Sequence, residues 1–263
     1  MRVAAIYDIH ANLPALEAVL QEMSRAQVDH VVVGGDVLPG PMPRETLTRL
    51  LDLGPPVHFL LGNGDREVLA QMAGAETDWY RTAPEQWRVP VRWTVGQLRP
   101  EHQRLLAGWP ATCRMAIPGL GEVLFCHATP RNDAEVFTRL TPEDRLASVF
   151  EPVDVPVVAC GHTHMQFDRT VGRVRVVNAG SVGMPFGEPG AYWLVLGPGI
   201  ELRRTPFDLA SAAERIRATD YPQAQQFSTQ SVLRPPSEEE TLAAFARAEL
   251  TAEPSAAPDR GGR

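Results

Sequence analysis

The sequence predicts an α/β protein, and three observations lead there. Strand, polar turn and helix follow one another three times within about the first 75 residues. The apolar runs are short and β-branched, as buried strands are. Each of the first three runs ends in a Gly-, Asp- or Asn-bearing turn rather than continuing as a helix. Alternation of this kind builds a sheet covered by helices.

The elements can be justified in order. Residues 2–7 form the first strand and end in Asp8-Ile9-His10. Leu13, Leu16, Val19, Leu20 and Met23 then recur at helical spacing, and Asn12 before Pro14 suits an N-cap with proline in the first turn. Val31-Val32-Val33 is the second strand, ending in Gly34-Gly35-Asp36, with a helix expected over 44–53. Residues 57–61 form the third strand, ending in Gly62-Asn63-Gly64-Asp65, and a helix is expected from about Arg66.

Residues 77–110 lack clear periodicity and hold four of the five tryptophans, Trp79, Trp87, Trp93 and Trp109. They read as a helical insertion over the sheet edge, with aromatic packing onto the core favoured over a substrate-stacking wall. Strands are expected at 112–117 and 122–125, turning at Gly119-Leu120-Gly121. A helix near 142–149 precedes the buried run Val155-Pro156-Val157-Val158-Ala159, which ends in Cys160-Gly161-His162-Thr163-His164. Residues 166–171 and 174–178 form a hairpin, Ala179-Gly180-Ser181-Val182-Gly183 a Gly-rich turn, and 191–196 with 200–205 a closing antiparallel pair. Helices follow at 208–218 and 237–250, the second opened by a capping box, Ser237-Glu238-Glu239-Glu240. The domain thus spans residues 1–205, helices over 206–250 pack on it, and 251–263, rich in Ala, Pro and Gly, are expected to be disordered.

Composition narrows the function. The 263 residues suffice for one large domain or two small ones, and 44% hydrophobic with 22% charged residues is ordinary for a globular protein. A formal net charge of -7 argues against binding long nucleic acid, yet is compatible with a small phosphorylated ligand, because bound cations reverse the local field. No apolar run approaches a membrane span and the N-terminus does not read as a signal peptide, so a cytoplasmic location is expected. The three cysteines, Cys113, Cys126 and Cys160, form no C-x-x-C pair, and Cys126 and Cys160, in apolar runs before motif histidines, read as buried thiols. The sequence leaves the oligomeric state open, a homo-oligomer included.

The chemistry lies at the strand ends: Asp8 and His10, Asp36, Asn63, His127, and His162 with His164. In α/β sheets ligands gather at the carboxyl ends of the strands. Singly, each residue has an ordinary explanation, such as a helix-end carboxylate, a turn or a core histidine. Together, two carboxylates, an amide and four imidazoles exceed the about four donors of a tetrahedral site and suit two ions about 3.5–4 Å apart that share a carboxylate. Oxygen mixed with imidazole favours Mn²⁺, with Fe, Zn²⁺ or Ni²⁺ as alternatives. His30, His58 and His102 fall outside the set and read as structural or surface residues.

This ordered set resembles the calcineurin-like metallophosphoesterase superfamily, whose pattern is D-x-H, G-D, G-N-H-D/E, H and G-H-x-H. Asp8-Ile9-His10-Ala11-Asn12-Leu13 is similar to the opening of its small bacterial and archaeal phosphodiesterase-like branch. The resemblance implies two mixed β-sheets flanked by helices, a four-layer sandwich. It implies a first ion on Asp8, His10, Asp36 and His164 and a second on Asp36, Asn63, His127 and His162, with Asp36 and a hydroxide bridging them. That hydroxide would attack a small phosphodiester, such as a cyclic nucleotide, or a phosphomonoester.

One departure stands out: Gly64 occupies the place of the histidine that assists the leaving group, while its orienting partner, Asp65, remains. Loss of a general acid is worth about 10²–10⁴-fold, which favours diesters, cyclic phosphates or aryl esters. Arg66 and Asn12 are candidates for substrate contact. The competing readings are a non-catalytic metal-binding scaffold or regulator of the same fold, and a protein phosphatase or dinucleoside tetraphosphatase. Leu61 stands where the last group commonly has arginine.

Overall fold

The computed structural model describes residues 1–250. The stretch expected to be disordered, 251–263, lies outside the described residues. Two five-stranded mixed sheets pack face to face. The first has the order β10-β9-β1-β2-β3, built from β1 (Val3–Ile6), β2 (His30–Val33), β3 (Val57–Phe59), β9 (Ala191–Leu196) and β10 (Ile200–Thr205). The second has the order β4-β5-β6-β8-β7, built from β4 (Thr112–Ile117), β5 (Gly121–Cys126), β6 (Val157–Cys160), β7 (Gln166–Val171) and β8 (Val174–Ala179). β1, β2 and β3 run parallel, as do β5, β6 and β8.

The period of two along each strand divides the side chains between layers. Val3, Ala5 and Tyr7 point between the sheets and meet Phe125, Val157, Ala159 and Val177. Ala4 and Ile6 point the other way, onto Leu16 and Val19 of α1 (Leu13–Ala26) and Leu47 and Leu50 of α2 (Pro43–Leu51). Leu124, Val158 and Val176 leave the second sheet on its outer side and meet Leu146, Val149 and Phe150 of α7 (Glu143–Phe150). The Tyr7 hydroxyl crosses the inner layer and donates to the Ala159 carbonyl at 3.0 Å. The four layers are therefore helices, sheet, sheet and helix.

Most expected elements are present within a residue or two. The helix expected from Arg66 begins earlier: α3 spans Asn63–Met72. Asp65, in its first turn, accepts from the Gly62 amide at 3.2 Å, so the polar turn is itself the start of the helix. The insertion folds as α4 (Asp78–Thr82), α5 (Glu85–Gln97) and α6 (Pro100–Ala107). Trp109 stacks flat on Phe59 at 4.8 Å and Trp93 meets Tyr221 edge-on at 5.0 Å, whereas Trp79 and Trp87 stay exposed.

Beyond β10 come α8 (Leu209–Arg217), α9 (Ala224–Phe227), a π-helical turn at Ser228–Leu233, and α10 (Glu238–Phe245). The polar stretch between α8 and α10 carries no apolar period, so α9 and the π turn escape a sequence reading. α10 stops five residues before the helix expected to reach 250. The chain beyond it is pulled onto the second sheet's side: Leu250 N–H donates to Val136 O at 3.0 Å, and Glu249 accepts from Thr141 at 2.7 Å and from Arg145 at 3.1 Å. No helix of the described residues is long and apolar enough to cross a membrane.

Candidate metal centre

All seven ligand-type residues follow the carboxyl ends of parallel strands. Asp8 and His10 follow β1, Asp36 follows β2, Asn63 follows β3, His127 follows β5, and His162 and His164 follow β6. Five of them hold left-handed backbone conformations: Asp8 at φ 53°, His10 at 46°, Asp36 at 50°, His162 at 67° and His164 at 58°. Each such non-glycine residue costs on the order of 1–3 kcal/mol and persists only where its surroundings over-determine it. Here the surroundings are hydrogen bonds between the loops. Asp8 N–H reaches Gly35 O at 3.1 Å, His10 N–H reaches Asp36 O at 2.9 Å, and His162 N–H reaches Asp8 Oδ2 at 2.9 Å. Gly161 permits the last contact, since a Cβ there would lie 2.5 Å from Asp8 Oδ2.

The side chains converge in two overlapping groups, Asp8 with His10 and His164, and Asp8 with Asp36 and His127. His164 Nδ1 lies 2.7 Å from the Met184 carbonyl and His127 Nδ1 lies 2.9 Å from the Gly34 carbonyl. A carbonyl only accepts, so Nδ1 carries the proton in both rings and each Nε2 lone pair faces inward. His164 Nε2 is 3.3 Å from Asp8 Oδ1 and 3.3 Å from His10 Nε2. The two Asp36 oxygens diverge, Oδ2 lying 3.8 Å from His10 Nε2 and Oδ1 3.6 Å from His127 Nε2. The Asn63 amide lies 3.1 Å from His127 Nε2 and 2.9 Å from His162 Nδ1.

This donor set fits cations. Asp8 Oδ1 is fully buried and has no hydrogen bond. Turned one way, the Asn63 amide places its oxygen among the two imidazole nitrogens and the Asp133 carbonyl, where it could serve a cation; turned the other way, its NH₂ donates to all three. Lone pairs aimed at one another repel unless a cation lies among them.

The electrostatics agree. Burial and then the neighbouring His164 push the His10 pKa down to about 3; burial and His127 do the same for His162, also to about 3. Both rings are thus neutral donors. Burial raises the Asp8 carboxyl, but the surrounding imidazoles outweigh it and hold Asp8 below the usual carboxylate range. Burial, opposed by His127, lifts Asp36 to about 6. Burial lowers His127 and His164, yet the carboxylates of Asp36 and Asp8 more than compensate and raise both.

A model of the calcineurin-like phosphoesterase superfamily domain matches residues 1–196. The chain belongs to that superfamily. This calcineurin-like phosphoesterase is 28% identical over 234 residues to an uncharacterized protein of Methanocaldococcus jannaschii, covering 81% of the chain and 91% of the relative. Among solved structures, a metallophosphoesterase from Sphaerobacter thermophilus is 27% identical with a TM-score of 0.67, covering 88% of this chain and 99% of that one. A hypothetical protein from Pyrococcus horikoshii shares the fold at 19% identity, with a TM-score of 0.75 over 90% of this chain and 99% of that one.

Around this cluster, the remaining sequence candidates hold the following contacts. Asp65 is buried and accepts from the Leu38 amide at 2.9 Å as well as from Gly62, tying the loop after Asp36 to the start of α3. Burial and the Asp36 carboxylate push its pKa up to about 8. Gly64 donates to Asp36 Oδ1 at 2.7 Å, and a Cβ at 64 would lie 2.5 Å from the Leu38 carbonyl. The 36–40 loop therefore closes over the place where the superfamily's histidine would begin.

Arg66 grips Asp133 with Nε at 2.7 Å and Nη2 at 3.1 Å, and Glu67 with Nη1 at 2.7 Å. Its guanidinium is committed to carboxylates. Asn12 is buried, caps α1 through Ala15 N–H at 3.3 Å and donates to Gly183 O at 2.9 Å. Arg66 thus spends three of its five N–H groups on these carboxylates, and Asn12 lies buried.

Sequence reasoning noted the Gly180–Gly183 turn without giving it a role. Ser181 Oγ donates to the Asp8 carbonyl at 2.8 Å, and Asn178 Nδ2 donates to the Gly161 carbonyl at 2.6 Å. Both lie at the end of β8, which runs parallel to β6, so they share the strand-end position of the candidate ligands.

Proposed function

We propose that this protein hydrolyses small phosphate esters with two divalent ions held in the cluster, Asp8, His10, Asp36 and His164 around the first and Asp36, Asn63, His127 and His162 around the second. The observation that carries this reading is the convergence of inward-facing lone pairs from both sheets, with Asp8 Oδ1 buried and unpartnered among them. The divergent oxygens of Asp36 suit a bridging carboxylate. Ions bound there would supply Lewis acidity and neutralise charge on the phosphate oxygens. Imidazole with carboxylate and amide oxygen favours Mn²⁺ over softer-site metals, with Fe, Zn²⁺ and Ni²⁺ the alternatives.

The protein's own residues do the positioning. The Met184 and Gly34 carbonyls fix the tautomers of His164 and His127, and burial keeps His10 and His162 neutral. No imidazole stands at position 64 to protonate a departing alkoxide. Esters whose alcohol leaves easily, such as aryl diesters and cyclic phosphates, are the substrates this arrangement favours.

The test is elemental analysis of the protein loaded with each metal, with turnover of an aryl phosphodiester measured in parallel. Two ions per chain and metal-dependent turnover are expected; failure to bind ions would overturn the reading. The tight closure over Gly64 favours a second reading, a metal-binding scaffold, and ions bound without turnover on any phosphate ester would select it.

A further inference from the structure

The metal cluster is buried on one side and open on the other. The side chains of Asp8 and His127 are fully buried, whereas those of His10 and His164 are 12% and 11% exposed. Beside this open side lies an aromatic ring. Phe186, in the loop after the Gly-rich turn, is partly exposed and stacks against His164, with centroids 5.5 Å apart and planes inclined by 21°. Phe245 of α10, also partly exposed, meets Phe186 edge to face at 6.1 Å. Apolar rings at the rim of so charged a site are not needed to hold the cations.

The support for this pair comes from the C-terminal segment. Gly187 N–H donates to Pro236 O at 2.8 Å, Arg139 pairs with Glu238 at 2.7 Å, and Glu249 is buried against Arg145 and Thr141. α10 is thus fastened at both ends, and Phe245 is held against the ring that borders the cluster. The surroundings of Asn63 are ionic: the Asp133 carbonyl lies 3.1 Å from the Asn63 amide, and its carboxylate is paired with Arg66. A ligand whose phosphate sits over the cluster therefore meets both charge and aromatic surface.

We infer that Phe186, held by Phe245, forms an aromatic wall at the open side of the metal centre and selects phosphate esters whose organic group carries a flat aromatic ring. The inference rests on the phosphoesterase reading and deepens it. Phe186 is the specificity-determining residue and Phe245 a positioning residue acting through it. A ring contact of this kind is worth roughly 2- to 12-fold in affinity.

The experiment uses the full chain loaded with Mn²⁺ and measures binding calorimetrically, so that it does not depend on turnover. The probes are phenylphosphonate and the phosphonate analogue of uridine monophosphate, each against methylphosphonate. The wild type is expected to prefer at least one aromatic probe by about 5- to 10-fold. Preference for phenyl alone assigns a simple aryl group, and preference for the uridine analogue assigns a nucleobase. Phe186→Ala should bring the ratio to about one, Phe245→Ala should lower it about threefold, and Phe186→Tyr should retain it. Methylphosphonate affinity and metal content should stay unchanged in Phe245→Ala, which a merely structural loss would not allow. Equal binding of all three probes to the wild type overturns the aromatic wall alone. Absence of binding by any phosphonate overturns it together with the phosphoesterase reading.

Discussion

At the scale of single residues, Asp36 and Gly64 are the positions to test. Asp36 lies between the His10 and His127 imidazoles, so Asp36→Asn should remove more from metal affinity than the about 10–100-fold typical of an outer partner. Elemental analysis after dialysis should find fewer than two ions per chain. Gly64 is hemmed in by the Leu38 carbonyl. Gly64→Ala should cost about 1–3 kcal/mol by overpacking, read as a lower midpoint in denaturant. For the same reason a histidine cannot simply be placed at 64 to supply a proton. The missing acid is better tested on the wild type, with aryl diesters of graded leaving-group pKa; a steep dependence is expected, and a flat one would show that another group donates the proton.

The candidate ligand residues are legible as a set because each is a chemically distinct side chain at the end of an apolar run. The committed state of Arg66 was not legible, since its partner Asp133 lies 67 positions away and no local pattern announces the pair.

At the scale of elements, β1 to β3 and the three hairpins could be read directly, since their apolar periods and turns are local. The polar stretch between α8 and α10 could not, nor could the early stop of α10, because Glu249 is captured by Thr141 and Arg145 from a distant part of the chain. That capture is itself testable. Glu249→Ala leaves the buried Thr141 hydroxyl without its acceptor and the exposed Arg145 without its ion pair, which costs about 1–3 kcal/mol locally. Limited proteolysis should then cut near α10 faster than in the wild type, with the far-ultraviolet dichroism unchanged. Trp109, stacked on Phe59, ties the end of the insertion to β3. Its replacement by alanine should cost about 3–5 kcal/mol.

At the scale of the molecule, the alternation of strand and helix predicts a layered α/β protein, but not that the strands divide into two sheets of five. That division depends on pairings such as β1 with β9, whose partners, Val3 with Leu196 through Ala5 with Leu194, are far apart in sequence and leave no signal in either strand alone. Among the described residues, the buried carboxylates of Asp8 and Asp36 have imidazoles but no arginine or lysine beside them. Loading with metal at about 100 times its dissociation constant should therefore stabilise the fold by about 2.7 kcal/mol. Chelation should lower the thermal midpoint correspondingly.

Four of the seven candidate ligand residues follow strands of one sheet and three follow strands of the other. Bound cations would therefore act as rivets through both halves of the sandwich. Breathing of the halves against each other should be slowed by the ions, and amide exchange along β1 and β6 would register it as deeper protection in the loaded protein than in the stripped one.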